Sequence, residues 1–272
     1  MKLSPSPKGV ILVQARMGST RLPGKVLLPV LGKSLLYRMI ERLRFSKYHH
    51  IWVITTREPE DELIIKECES IGVPTLKGHP TDLLDRHYQA ALATQAEWIV
   101  KIPSDCPLID PQIINKVIDY FLDNFPAFDY VSNLHPATYP DGNDVEIMTF
   151  STLETAWKNA TRNFEREHTT PYIWENPNKF RIGNVTWETG KNYSMTHRFT
   201  LDYPEDYEFI KAVYERLYPL CPNFSLQDVL TLLEKEPSLY QINKKYCGVN
   251  WYRHHLHELK TISAQETKLD FM

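Results

Sequence analysis

Residues 10–25, VILVQARMGSTRLPGK, contain the residue types that binding a polyphosphate requires. An apolar run ends at Gln14 and Ala15, and the loop that follows carries Arg16, Arg21 and Lys25 together with two glycines. Backbone N–H groups can approach phosphate oxygens closely at glycine, and the three cations supply the opposing charge. This segment therefore predicts a loop that binds nucleotide phosphates, with an ordinary basic surface turn as the alternative.

The loop differs from the two best-known phosphate-binding motifs. A Walker A loop has four residues between its first glycine and a Gly-Lys pair that Ser or Thr follows. Here five residues separate Gly18 from Gly24, and Val26 follows Lys25, so the hydroxyl that would bind Mg²⁺ is missing. The dinucleotide fingerprint G-x-G-x-x-G is also absent. The sequence thus predicts a phosphate loop of another kind.

Two aspartates follow short apolar segments and are candidate metal ligands. Asp105 comes after residues 98–102, and Asp202 comes after residues 199–201. Carboxylates hold Mg²⁺ beside substrate phosphates, and parallel strands bring their carboxyl ends to one edge of a sheet. Asp110 precedes a proline and is the better N-cap for the next helix, which leaves Asp105 available. Asp202 could equally be an N-cap or a metal ligand.

The first half of the chain alternates strands and helices, which would position these groups. Strands are predicted at residues 10–14, 50–55, 73–76 and 98–102, and helices at residues 34–45, 61–71, 82–94 and 111–122. The strands are short apolar runs, whereas apolar residues in the helices recur at three- and four-residue spacing. This βαβα order predicts an α/β fold in which helices cover both faces of a parallel sheet.

The pattern changes after residue 128. Strands are predicted at residues 130–133, 145–149, 180–187 (alternating, hence antiparallel) and 199–201, and helices at residues 151–160, 164–176 and 204–217. We find no internal repeat and no low-complexity linker, so the second half is interpreted as an elaboration of the same domain. The tail from residue 238 contains aromatic residues that could pack on this domain or on a partner subunit: Tyr240, Tyr246, Trp251 and Tyr252.

Composition excludes several classes of protein. The net charge of −3 over 272 residues is not that of a general nucleic-acid binder. No apolar stretch approaches the roughly 20 residues of a membrane helix, and residues 1–8 lack the apolar core of a signal peptide. The four cysteines form no C-x-x-C pair and predict free thiols in the cytoplasm. A histidine-rich stretch at residues 254–257 is interpreted as a solvated tail rather than a metal cluster.

Several motifs together resemble those of the sugar cytidylyltransferases. They are residues 14–25 (QARMGSTRLPGK), 105–109 (DCPLI) and 202–206 (DYPED), with further matches at 78–90, 139–142, 144–146 and 166–172. Among these enzymes the chain resembles the SpsF-like group most closely. It is also similar to CMP-Kdo synthetases and, more distantly, to CMP-sialate (acylneuraminate) synthetases. The resemblance spans residues 9–215.

The resemblance implies a Rossmann-like α/β fold of the nucleotide-diphospho-sugar transferase type, with a mixed, mostly parallel sheet sandwiched by helices. It implies one nucleotidyltransferase domain over residues 1–237 and a C-terminal tail at 238–272. Within the domain, residues 9–128 would be the nucleotide-binding half. Residues 129–237 would be the sugar-binding and candidate dimerisation half.

Roles for individual residues follow from the same resemblance and from the polar residues of the second half. Catalytic residues would be Arg16, Arg21, Lys25 and Asp105, and Mg²⁺ would bind Asp105 and Asp202. Nucleotide-binding residues would be Gln14, Ala15, Arg16, Gly18, Ser19, Arg21, Lys25, Asp82, Arg86 and Ser104. Sugar-binding residues would be Asn133, Tyr139, Asp141, Asp144, Glu146, Arg166 and His168, with Arg166, His168 and Arg198 available to meet a carboxylate.

The expected reaction is transfer of CMP from CTP to an acidic 2-keto-3-deoxy sugar, nonulosonate- or Kdo-like, for surface polysaccharide synthesis. A cytoplasmic homodimer that binds neither nucleic acid nor membrane is expected. Cys106 stands where CMP-Kdo synthetases have Glu, and residues 79–86 depart from their Ser-Gly-Thr-Glu-Arg stretch near the base. Another nucleotide, a sugar or alditol phosphate acceptor, and a non-catalytic nucleotide-binding paralogue therefore stay open. A glycosyltransferase is disfavoured because no D-x-D motif follows a predicted strand.

Overall fold

Strand β1 (Gly9–Gln14) is an interior strand of a seven-stranded sheet in the computed structural model, which describes residues 8–269. The sheet order is β5-β4-β1-β6-β8-β7-β9, with β4 at Ile51–Thr56, β5 at Thr75–Gly78, β6 at Trp98–Pro103, β7 at Tyr130–Ser132, β8 at Glu146–Thr149 and β9 at Ile182–Asn184. Only β8 runs against the other strands of this sheet. The short strands β2 (Pro29–Val30) and β3 (Lys33–Ser34) form a separate hairpin. The mostly parallel sheet expected from the sequence is confirmed.

Helices cover both faces of the sheet because side chains alternate along each strand. On β1, Ile11 and Val13 belong to one apolar core and Val10 and Leu12 to the other. The first core is covered by α1 (Leu35–Leu43), α2 (Glu62–Ser70), α4 (Pro111–Asp123), α8 (Pro204–Leu217), α9 (Leu226–Lys235) and α10 (Pro237–Gln241). The second core is covered by α3 (Leu83–Thr94), α5 (Phe150–Asn159), α6 (Asn163–His168) and α7 (Pro171–Trp174).

Two of the predicted helix caps are confirmed. The Ser34 hydroxyl accepts a hydrogen bond from the Tyr37 amide, 3.0 Å away, at the start of α1. The Asp110 carboxylate accepts from the Gln112 amide at 2.8 Å and caps α4. Because Asp110 caps this helix, Asp105 is left for another role.

Three predictions for the second half are wrong. The helix expected at 164–176 is two short helices, α6 and α7, because Thr169 has a φ of 73° and so cannot continue a right-handed helix. The strand expected at 180–187 is three residues long and pairs with β7 in parallel, not antiparallel. Residues 199–201 form no strand, since the Phe199 and Leu201 amides donate to the Asp141 and Asp105 carbonyls.

The tail packs back on the domain rather than extending from it. The Tyr240 hydroxyl donates to the Thr196 carbonyl at 2.8 Å, and the Trp251 ring stacks on His168.

The described residues leave out both ends of the chain, residues 1–7 and 270–272. Most of the segment that was predicted to lack a signal peptide, residues 1–8, therefore lies outside them. None of the helices described between residues 8 and 269 has the length and the apolar composition of a membrane span.

Candidate active site

The loop after β1 is held in shape by a buried carboxylate that the sequence did not single out. Asp61 accepts hydrogen bonds from the Met17 amide at 2.7 Å and from the hydroxyls of Thr55 and Thr56. Burial by itself would raise the pKa of Asp61, but these hydrogen bonds outweigh burial and lower it. Asp61 therefore stays ionised and fixes the start of the loop. The sequence predicted Asp61 only as the first residue of a helix and gave it no role in the loop.

The loop turns back on itself through Gly24. This residue has a φ of 68°, in the left-handed region that favours glycine, and its amide donates to the Met17 carbonyl at 3.0 Å. Lys25 follows immediately and is directed inward. Its side chain is only 11% exposed.

Lys25 contacts both predicted metal-binding aspartates, and Arg21 contacts one of them, Asp202. The Lys25 Nζ lies 2.9 Å from Asp202 Oδ1 and 3.4 Å from Asp105 Oδ2, and it also donates to the Leu201 carbonyl. Arg21 Nη2 donates to Asp202 Oδ1 at 2.6 Å. Burial alone would raise the pKa of Asp202, but the charges of Lys25, Arg21 and Arg198 hold it below its usual range.

Arg198, whose side chain is fully buried, holds the Asp202 carboxylate in position. Arg198 Nη2 donates to Asp202 Oδ2 at 3.1 Å, Nε to Asp206 Oδ1 at 2.9 Å and Nη1 to Asp141 Oδ2 at 3.2 Å. Burial opposes the charged form, but these carboxylates raise the pKa of Arg198. The guanidinium is thus committed to the protein's own carboxylates, contrary to the expectation that it meets a substrate carboxylate.

Asp141 and Asp144 are two further acidic residues near Asp105, and the pKa values of both are raised. The pKa of Asp141 is well above its usual range because of burial, despite the Arg198 charge, and Asp144 and Asp202 add to the rise. Burial and the neighbouring Asp105 raise the pKa of Asp144 to about 6. A cation bound among these carboxylates would offset their repulsion.

The carboxylates fit a hard divalent cation that shares its coordination with a substrate. Asp105 and Asp202 both lie within 3.4 Å of one nitrogen, that of Lys25, so their oxygens converge on one region. No group of three or more His, Cys, Asp or Glu side chains in residues 8–269 is arranged to hold a metal alone. Mg²⁺ typically takes one or two protein carboxylates and completes its shell with substrate phosphates and water.

A cavity of about 900 Å³ runs past these groups and lies within the size range of ligand-binding pockets. Most of the residues selected from the sequence line it: Gln14, Ala15, Arg16, Ser19, Arg21, Lys25, Arg86, Ser104, Asp105, Asn133, Tyr139, Asp141, Asp144, Glu146, His168 and Asp202. Gly18, Asp82 and Arg166 do not line it.

Arg166 and Asp82 bind each other instead. Arg166 Nε donates to Asp82 Oδ2 at 2.6 Å, and its Nη1 donates to the carbonyls of Trp157 and Ala160. Asp82 also accepts from the Asp85 amide as the N-cap of α3. This pair links α3 to α6. Asp82 was predicted to bind the nucleotide and Arg166 the sugar, but neither side chain lines the cavity.

A buried ion pair in the cavity floor was missed from the sequence. Lys101 on β6 donates to Glu146 on β8, and Glu146 also accepts from the Tyr130 hydroxyl at 2.6 Å. Lys101 interrupts the apolar strand WIVKIP, and that was the one available signal. The predicted sugar contact Glu146 is therefore already paired within the protein.

Three buried polar atoms of residues that line the cavity have no hydrogen-bond partner in residues 8–269. They are Gln14 Oε1, Arg86 Nε and His135 Nδ1. Burial and, to a lesser extent, the charge of nearby Arg16 lower the pKa of Arg86 to about 10. Leaving buried polar atoms unpaired costs free energy, so such atoms mark places where a ligand supplies the missing partner.

Residues 10–243 match a family model described as cytidylyltransferase. A solved structure of a cytidylyltransferase from Leptospira borgpetersenii is 38% identical, covers 87% of this chain and 98% of that one, and has a TM-score of 0.82. The spore coat polysaccharide biosynthesis protein SpsF of Bacillus subtilis is 29% identical over 84% of this chain and 95% of its own. A CMP:2-keto-3-deoxy-manno-octonic acid synthetase complexed with CTP is 18% identical, with coverage of 77% and 99% and a TM-score of 0.59, and shares the fold.

Proposed function

Because this chain belongs to the cytidylyltransferase family, we propose that it transfers CMP from CTP to an acidic 2-keto-3-deoxy sugar, nonulosonate- or Kdo-like, and releases pyrophosphate. The observation that carries the proposal is the convergence of the loop after β1 with Asp105 and Asp202 on one cavity. The similarity to SpsF and to a synthetase complexed with CTP supports the choice of substrates and a role in surface polysaccharide synthesis.

The cations at the nucleotide end of the cavity have different tasks. Arg16 and Arg86 form no side-chain hydrogen bond within residues 8–269, so both guanidinium groups are available to triphosphate oxygens. Arg21 and Lys25 are bound to Asp202 and would share their charge between that carboxylate and the phosphates. The nucleotide-binding half would be residues 9–128 and the sugar-binding half residues 129–237.

The reaction forms one bond and breaks one. The sugar hydroxyl oxygen bonds to the α-phosphorus, the bond to the α–β bridging oxygen breaks, and pyrophosphate leaves with the electron pair while the hydroxyl proton passes to water. Mg²⁺ bound by Asp105 and Asp202 would supply charge neutralisation and a lower hydroxyl pKa. Arg198 keeps Asp202 in place, and the fixed cations stabilise the departing pyrophosphate.

The test is pyrophosphate release from CTP and Mg²⁺ across a panel of 2-keto-3-deoxy sugar acids. The panel also contains sugar phosphates, alditol phosphates and the nucleotides ATP, GTP and UTP. These are included because Arg166 and Arg198 are paired with Asp82 and Asp206 and are not available to bind the carboxylate of a sugar acid. Release that requires CTP and a sugar acid supports the proposal. No release with any sugar acid, or faster release with a phosphate acceptor, contradicts it.

A pair of variants locates the chemistry. Asp105→Asn removes a charged metal ligand, and we expect about 10²- to 10³-fold slower turnover. Asp129→Asn is the matched control, since Asp129 pairs with Arg181 away from the cavity. Near-normal turnover of Asp105→Asn would refute the role assigned to this carboxylate.

The proposal includes a cytoplasmic homodimer. All four cysteines are free, and Cys68 and Cys106 are buried, as suits a reducing compartment. The dimer follows from the resemblance to sugar cytidylyltransferases. Light scattering across a concentration series measures the assembly, and a monomer at every concentration contradicts it.

A further inference from the structure

We propose that the tail segment, residues 248–255, forms one wall of the acceptor subsite and selects a ring-form, hydroxylated sugar through Trp251 and Tyr252. This inference rests on the proposed function. It goes beyond the family likeness, because the family match ends at residue 243. The tail segment therefore gives this chain a specificity element of its own.

The tail segment is fastened to the domain at both ends. On one side, Arg198 Nη1 donates to the Val249 carbonyl at 3.0 Å. On the other side, Arg162 Nη1 donates to the Glu258 carbonyl at 3.1 Å. Glu175 holds the next turn by accepting from the amides of Lys260 and Thr261 at 2.7 and 2.9 Å. These anchors fix the segment across the cavity.

Between the anchors, Trp251 and Tyr252 pack against the second apolar core and also line the cavity. The short helical turn Trp251–His254 has no buried residue, and its side chains line the cavity. The neighbouring tail residues Leu259 and Ile262, by contrast, are buried in the second apolar core. The two rings are therefore only partly buried by the core, and the surface they leave at the cavity is available to a ligand.

Five rings surround this part of the cavity, and we call them the aromatic chamber: His135, His168, Trp174, Trp251 and Tyr252. Trp251 stacks on His168 with centroids 3.8 Å apart and planes at 13°, and it meets Tyr252 at 4.7 Å. His135 lies 4.4 Å from Trp174 and 6.3 Å from Tyr252. The tail segment thus supplies two of the five rings.

The topology places the aromatic chamber on the acceptor side. His135 follows β7, while the phosphate loop follows β1, and β6 and β8 lie between these strands in the sheet. Asn133, Asp141 and Asp144 line the same region and can accept hydrogen bonds from hydroxyls. In the sheet, two strands therefore lie between His135 of the chamber and the loop assigned to the triphosphate.

The chemistry of the aromatic chamber suits a sugar ring. Aromatic faces cover the apolar C–H face of a pyranose, while its hydroxyls need polar partners at the edge. His135 Nδ1 is buried without a partner in residues 8–269, and it can meet one such hydroxyl. Burial lowers the pKa of His135 to about 4, so the imidazole is neutral at pH 7 and adds no charge.

Point variants test the chamber without deleting the tail. Trp251→Ala should raise the KM of the acceptor by about 5- to 30-fold and leave the KM of CTP within twofold, and Trp251→Phe should restore most of the loss. His257→Ala is the matched control, because His257 lies just beyond the Trp251–His254 turn, is 78% exposed and does not line the cavity. An unchanged acceptor KM, or an equal change in the KM of CTP, overturns the inference.

Hydrogen exchange separates this inference from the proposed function. In the full chain, 2-keto-3-deoxy-manno-octonic acid or another sugar of the panel should protect amides 248–255, whereas CTP with Mg²⁺ alone should not. Protection without pyrophosphate release contradicts the proposed reaction but supports the chamber. Unchanged exchange with every sugar overturns the chamber, even where pyrophosphate release is normal.

Discussion

Arg198 Nη2 lies 3.1 Å from Asp202 Oδ2, and the Arg198 side chain is fully buried. The same guanidinium donates to Asp206, Asp141 and the Val249 carbonyl. It therefore joins the proposed metal ligand to the base of the tail segment. A buried charge that satisfies several carboxylates is strongly coupled to them, because removing it leaves their charges uncompensated.

Replacing Arg198 should affect both stability and turnover. Arg198→Met leaves Asp141, Asp202 and Asp206 without their shared cation, and we expect a loss of about 3–5 kcal/mol in the free energy of unfolding. Arg198→Lys keeps the charge but not the planar fork, so it should lose less stability yet still turn over more slowly. Denaturant titration and pyrophosphate release measure the two effects. Full turnover in a folded Arg198→Lys would show that orientation of Asp202 is unimportant.

Lys25 occupies the space between the two carboxylates assigned to the metal. Its removal by Lys25→Met should therefore tighten Mn²⁺ binding in the absence of nucleotide, by about tenfold or more, since a nearby positive charge is lost. Turnover should fall, because the leaving pyrophosphate loses a cation. Calorimetric titration with Mn²⁺ measures the affinity.

Lys33→Met serves as the control for the Lys25 variant, because Lys33 is exposed in the β2–β3 hairpin and does not line the cavity. Weaker or unchanged Mn²⁺ binding by Lys25→Met would place the metal elsewhere.

Local patterns in the sequence predicted the first half well and the second half less well. β1 and β4 are mostly apolar runs, β6 is an apolar run with Lys101 inside it, and the three lie in one parallel sheet, so pattern and topology agree. Residues 199–201 have the same appearance, but their amides bond to the loops at Asp105 and Asp141. Asp202 thus lies near Asp105 although it does not follow a strand. The two carboxylates are close because the Leu201 amide donates to the Asp105 carbonyl, not because two parallel strands end side by side.

The buried ion network could not be predicted from spacing. Arg198 and Asp141 are 57 residues apart, and Lys101 and Glu146 are 45 residues apart. Each residue alone resembles an ordinary polar residue, and only the tertiary fold decides whether it meets a substrate or a partner in the chain. For the same reason the sequence assigned Arg166 to the sugar, whereas the structure pairs it with Asp82.

The phosphate loop should depend on the carboxylate that anchors it. Asp61→Asn leaves the Met17 amide and two threonine hydroxyls with a weaker, neutral acceptor. We expect a loss of about 1–3 kcal/mol in the free energy of unfolding and a higher KM for CTP. Glu60→Gln is the control, because Glu60 is exposed one residue earlier. If Asp61→Asn keeps the wild-type KM for CTP, the loop does not need this anchor.

Acid should destabilise the fold through His87, which lies in α3 outside the cavity. Its Nδ1 donates to the Leu83 carbonyl at 2.9 Å, Nε2 is buried without a partner in residues 8–269, and burial lowers its pKa to about 3. The unfolded chain takes up this proton near pH 6.5, so stability is complete above that pH and falls as the pH drops towards 3. At pH 5 the loss due to His87 should be about 2 kcal/mol. Denaturant titrations at pH 7 and pH 5 should therefore differ less for His87→Leu than for the wild type, with the exposed His257→Ala as the control. An equal difference in all three proteins would show that His87 does not carry this pH dependence.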